Sequence, residues 1–106
     1  MPGFVEAIPL ARVPAQGFVA VRVLETAVLV GRAQGRLFAC LDRCPHAGAP
    51  LSAGRLTGTE LQCSRHGWTF DVSSGASIPG PTAFALTQIP VKSDGDLVFV
   101  ELPEGS

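Results

Sequence analysis

The 106-residue chain carries 8 Lys and Arg against 9 Asp and Glu, a formal charge of −1 at pH 7, with 46% apolar and only 16% charged residues; the usual charged share is about 25%. This composition excludes disorder and describes one compact domain over residues 1–106, small enough that a staple such as a metal would add useful stability. With no run of Lys or Arg, the chain offers no electrostatic footprint for nucleic acid or for an anionic membrane surface.

At the N-terminus Glu6 is the first charged side chain, and Pro2, Pro9 and Pro14 interrupt the segment, so no secretory leader is expected and the cytoplasm is the expected compartment. Short runs rich in Val, Leu and Phe then follow, and the spacing predicts strands over Phe4 to Ile8, Phe18 to Leu24, Ala27 to Arg32 and Arg36 to Leu41. Leu10 to Val13 has room for one helical turn. The richest apolar stretch, Phe18 to Val30, is broken by Arg22 and by Glu25-Thr26, so no membrane span is expected. Further strands are predicted over Glu60 to Cys63, Thr69 to Val72, Leu86 to Val91 and Leu97 to Leu102, with a hairpin from Arg55 to Cys63. Glu25-Thr26, Ala33-Gln34-Gly35, Ser73-Ser74-Gly75 and Ser93-Asp94-Gly95 supply the chemistry of tight turns between them. With 12 Gly and 9 Pro as punctuation, the pattern is that of an all-β fold, a small antiparallel β-sandwich or barrel.

Three segments break the strand rhythm and read as loops: Asp42 to Gly54, Ser64 to Trp68, and the Ile78 to Thr82 stretch with its Pro79-Gly80-Pro81 sequence. The first contains Cys44-Pro45-His46; the second, with Cys63 at its entry, contains Cys63-Ser64-Arg65-His66, and 16 residues separate His46 from Cys63. Both histidines of the chain and two of its 3 cysteines therefore fall in two short motifs. A thiolate and an imidazole on each of two loops can converge on a metal once a hairpin brings the loops together. Pro45 stiffens the first loop, while Gly48, Gly54 and Gly67 permit close backbone approach. The same four side chains also describe a Cys₂His₂ zinc module, although zinc knuckles usually space their ligands as C-x₂₋₄-C and H-x₃₋₅-H. Cys40 lies in the strand before the first loop, where a buried apolar filler is expected. Asp42, Glu60 and Asp71 read as turn or surface carboxylates, and no nucleophile elbow or paired-carboxylate arrangement stands out.

The two motifs, CPHAGAPL and CSRHGWTFD, resemble the C-x-H and C-x-x-H signature of Rieske-type [2Fe–2S] proteins, and the likeness runs from the strand before Leu41 through the Pro79-Gly80-Pro81 loop to the last hairpin. The resemblance implies the Rieske fold, with two cluster-binding loops and a proline loop, the cluster-binding part covering approximately residues 42–82. It implies one [2Fe–2S] cluster per chain, with Cys44 and Cys63 on one iron and His46 and His66 on the other. Neutral imidazoles in place of two thiolates raise the potential above that of all-cysteine clusters. High-potential members carry a serine and a tyrosine after the second ligand pair, where this chain has Trp68 and Phe70, so a potential low in the Rieske range is expected. Trp68 can lie over the cluster or pack as an ordinary aromatic, and Arg43 and Arg65 can meet an acidic partner or stand solvated.

Within the family, respiratory members have an extra cysteine in each loop, at positions held here by Ala49 and Arg65, together with a membrane anchor. Terminal oxygenases continue into a large catalytic domain, for which 106 residues leave no room. The small subunit of assimilatory nitrite reductase is similar in fold but commonly lacks the ligands. What the resemblance implies is a ferredoxin that is not itself an enzyme, a monomer passing single electrons from a flavin-containing reductase to a terminal oxygenase. A Rieske subunit held permanently in a larger oxidoreductase is the alternative within the family.

Overall fold

The computed structural model describes residues 3–45, 49–64, 68–78 and 85–103. Two hairpins come early in the chain: β2 (Gly17–Val23) pairs with β3 (Thr26–Ala33), and β3 with β4 (Arg36–Leu41), both antiparallel. Before them β1 (Phe4–Pro9) ends in a single 3-10 turn, Leu10–Arg12, where one helical turn is predicted. The turn between β2 and β3 is Leu24-Glu25, one residue earlier than the predicted Glu25-Thr26, with both residues at positive φ (48° and 72°). Gln34 and Gly35, at 51° and 82°, close the next hairpin in the same way, as the right-handed twist of paired strands requires.

Beyond the first loop, β5 (Arg55–Thr57), β6 (Glu60–Gln62), β7 (Thr69–Asp71) and β8 (Ser77–Ile78) form a four-stranded sheet in chain order, followed by β9 (Val91–Asp94) and β10 (Leu97–Glu101). β10 lies between β1 and β9 in a third sheet, so the chain's two ends meet there, with a register shift between Glu6 and Ile8. Every pairing among the described residues is antiparallel, and the all-β architecture is as expected.

The β2–β3–β4 sheet is the middle layer. Side chains alternate across a strand, so Val28 and Val30 of β3 and Ala39 of β4 face one core with Val98 and Val100 of β10. Leu29 and Ala33 of β3, with Phe38 and Cys40 of β4, face the other core, shared with Leu61, Phe70 and Val72 of the small sheet. A sheet covered on both faces explains why β3 is a continuous apolar run where a half-exposed strand would alternate. Each of Leu29, Leu61 and Phe70 is fully buried, and removal of such a side chain from water stabilises the fold by about 1.5–3 kcal/mol.

The strand predicted over Leu86 to Val91 is absent, and β9 starts only at Val91. Leu86 N–H donates to Gly75 O (2.9 Å), Ile89 N–H to Ala39 O (2.9 Å), and Thr87 O accepts from Leu41 N–H (3.1 Å). The segment is thus an irregular strap between the small sheet and β4, with one bridge at Cys40 and Gln88, and Pro90 has no N–H with which to extend a ladder. The last hairpin turns at Gly95-Asp96, two residues beyond the start of the predicted Ser93-Asp94-Gly95 turn.

Candidate metal centre

Cys44 stands three residues past the end of β4 and Cys63 directly past the end of β6. Their loops close by the same device. Cys44 N–H donates to Ala49 O and Cys63 N–H to Trp68 O, each across five residues and each at 2.7 Å. The two six-residue loops can therefore be superposed in sequence, CPHAGA on CSRHGW, with cysteine at the first position and glycine at the fifth. This common closure was not visible in the motif spacing, which differs by one residue between Cys44-Pro45-His46 and Cys63-Ser64-Arg65-His66.

Neither cysteine is in a disulfide, both are nearly sealed from solvent, at 1% and 2% exposure, and both belong to one apolar cluster with Leu51, Leu61 and Phe70. The two cysteines expected to share an iron thus lie in the same core. His46 and His66, with Arg65, Gly48, Gly67 and the Pro79-Gly80-Pro81 loop, lie outside the described residues. Among the described residues no group of three Cys, His, Asp or Glu comes within reach of one metal. Two cysteines in one apolar core, each on a loop whose sequence also carries a histidine, are a soft mixed donor set of the kind that fits an iron–sulfur group.

Several neighbours hold this arrangement. Asp42, expected to be a surface or turn carboxylate, instead reaches across the first loop, its Oδ1 accepting the Ser52 N–H at 2.7 Å. Ser52 belongs to a 3-10 turn, Leu51–Ala53, that seats the fully buried Leu51 beside the cysteines. The only sign of this tie in the sequence is an acidic residue two places before Cys44. Trp68 is half-buried and stacks on Phe70, ring centroids 6.4 Å apart and planes inclined by 24°. Cys40 is buried as expected, and burial, with Asp42 nearby, pushes its thiol up to about 12. Asp71 is the turn carboxylate it was expected to be: its Oδ1 accepts from both Ser73 N–H (2.8 Å) and Ser73 Oγ–H (2.5 Å), and these bonds lower its pKa. Arg43 is exposed. A cavity of about 650 Å³ runs past Gln34, Arg36, Phe38 and Gln88 and includes neither Cys44 nor Cys63 in its lining.

Residues 3–90 match the family model of the Rieske [2Fe-2S] domain. The chain belongs to that family. Membership implies a [2Fe–2S] cluster, and relatives matched over nearly their whole length include ferredoxin components of dioxygenase systems. The ferredoxin component of the naphthalene 1,2-dioxygenase system of Pseudomonas aeruginosa is 28% identical over 99 residues, covering 93% of this chain and 95% of the relative. The Sphingomonas yanoikuyae B1 ferredoxin superposes with a TM-score of 0.81 at 27% identity, covering 93% of this chain and 98% of its own. A structure of the oxygenase and ferredoxin complex of carbazole 1,9a-dioxygenase matches with a TM-score of 0.83 at 25% identity, and there the chain covers 97% of its own length but 29% of the larger matched chain. No helix among the described residues is long and apolar enough to cross a membrane.

Proposed function

We propose that this protein is a Rieske ferredoxin of the cytoplasm, carrying single electrons from a flavin-dependent reductase to a terminal oxygenase. The observation that carries the reading is the pair of buried cysteines, Cys44 and Cys63, brought into one apolar seat on two identically closed loops. The near end-to-end match to a dioxygenase ferredoxin component supports the carrier role. Cys44 and Cys63 would hold one iron, and His46 and His66 the other. A [2Fe–2S] cluster held there accepts one electron and returns it. The chain's own part is to keep the seat rigid and dry: Leu51, Leu61 and Phe70, each at 0% exposure, exclude water from the cysteine side. Two sheets behind them limit rearrangement when the charge of the site changes.

The test is direct. Protein purified without exposure to chelators is expected to contain two irons and two acid-labile sulfides per chain, in keeping with a Rieske centre, and to give the paramagnetic resonance of a mixed Cys/His cluster on reduction. His46→Ala or His66→Ala is expected to abolish that signal. Mixed with a flavin-dependent reductase and a Rieske-type oxygenase, the holoprotein is expected to restore electron delivery that neither enzyme sustains alone. Stoichiometric zinc without labile sulfide would overturn the proposal.

A further inference from the structure

Between the two loops runs a single short path of backbone. It starts at Asp42, whose carboxylate holds Ser52 N–H, and passes through the 3-10 turn Leu51–Ala53, closed by Gly54 N–H donating to Leu51 O at 2.8 Å. It ends where Gly54 lies against the carbonyl of Gln62, the residue before Cys63. The φ of Gly54 is −90°, open to any residue, so its identity is not required by backbone conformation. It is required by space: a Cβ there would overlap the Gln62 carbonyl oxygen and stand 3.1 Å from Leu51 O. Nor can Gln62 step aside alone, because it is paired with Arg55 on one side and with Thr69 on the other. Any displacement passes along β6 into Cys63.

We propose that Gly54 is a positioning residue that sets the separation of the two cluster loops, with Asp42 anchoring the far end of the same spacer. The inference rests on the Rieske reading above and assigns the role to residues outside the four proposed ligands. A second cleft, lined by Gly54, Arg55, Gln62, Cys63 and Ser64, lies where the spacer meets the second loop, so a shift there also changes how water reaches the Cys63 side.

The experiment compares holoprotein of the natural sequence with Gly54→Ala, Gly58→Ala, Asp42→Ala and Asp42→Asn. Gly58 lies at the other end of the same β5–β6 hairpin with φ +61° and only Gln34 Nε2 within 4 Å of an added Cβ, at 3.8 Å, so its substitution strains the hairpin without crowding the loops. Readouts are iron and labile sulfide per chain, the rate of cluster loss to a ferrous chelator, and the g-values of the reduced protein. Gly54→Ala is expected to speed cluster loss by about tenfold or more and to shift the g-values, as loss of a supporting group does at metal sites. Gly58→Ala is expected to keep both at the natural values. Asp42→Ala is expected to speed cluster loss and Asp42→Asn, whose Oδ1 still accepts, to restore the natural rate. Unchanged loss rate and g-values in Gly54→Ala would overturn the inference. If Gly54→Ala does not accumulate as folded protein, the Asp42 pair decides, and Asp42→Ala indistinguishable from the natural protein would overturn it. Natural protein without iron and sulfide would instead overturn the Rieske reading and this inference with it.

Discussion

Phe70 is fully buried in the same apolar cluster as Cys44 and Cys63, with Trp68 stacked over it. Neither side chain carries a hydroxyl to donate toward cluster sulfur, and such donors stabilise the reduced, more negative state. The midpoint potential is therefore expected in the lower part of the Rieske range, roughly −150 to +300 mV, and film voltammetry near neutral pH measures it. Phe70→Tyr is expected to raise the midpoint if its hydroxyl meets a cysteine sulfur. A hydroxyl left without a partner in that core would instead cost about 1–3 kcal/mol of stability and leave the potential unchanged. Cys40 gives a second measurement at this scale. Its thiol, raised to about 12 by burial and by Asp42, stays protonated and unreactive at neutral pH. Cys40→Ser is expected to retain the full cluster spectrum while losing about 1–3 kcal/mol of stability through its buried hydroxyl; loss of the spectrum would make Cys40 part of the centre.

The β7–β8 turn shows how one carboxylate holds an element that hydrophobic patterning cannot specify. β8 has only two residues, too few to show any period; no strand is predicted there, and Ile78 is read as the start of a loop. What fastens it is Asp71, whose Oδ1 takes both donors of Ser73 while its main-chain oxygen accepts Gly75 N–H at 2.7 Å, with Gly75 at φ +81°. Because these bonds lower the folded-state pKa, their stabilisation is present above the unfolded carboxylate value and is lost as pH falls through the folded one. Asp71→Asn is expected to lower the melting temperature by a few °C, on the order of 1–4 °C, at neutral pH, and the difference is expected to close in acid; a pH-independent difference would contradict this account. The long hairpins and the turns at Gln34-Gly35 and Ser73-Ser74-Gly75 were legible because each depends on neighbours in sequence. The Leu86–Pro90 strap, the Asp42–Ser52 tie and the Gly54–Gln62 contact were not, because each depends on which distant backbone the fold brings alongside.

Over the whole molecule, the middle sheet separates two cores of different character. One joins β1, β10 and the valine face of β3 and contains no cysteine, whereas the other lies under β5–β8 and contains Cys40, Cys44 and Cys63. The second is closed on its outer side by strands of two or three residues, whose ladders are too short to hold two loops in place without further support. A cluster bridging Cys44, Cys63 and the two histidines would cross-link those loops, and binding free energy at such a site adds to folding free energy. The first core lies on the opposite face of the middle sheet from both cysteines, with Val28, Val30, Val98 and Val100 at 0% exposure. Hydrogen exchange measured on holo and cluster-free protein is therefore expected to divide the chain. Amides of Arg55–Thr57, Glu60–Gln62 and Thr69–Asp71 should exchange faster by on the order of tenfold or more once the cluster is gone, while those of β1, β3 and β10 keep their protection. Equal acceleration in all three sheets would mean that the two cores unfold as one cooperative unit and that the cluster stabilises the whole fold.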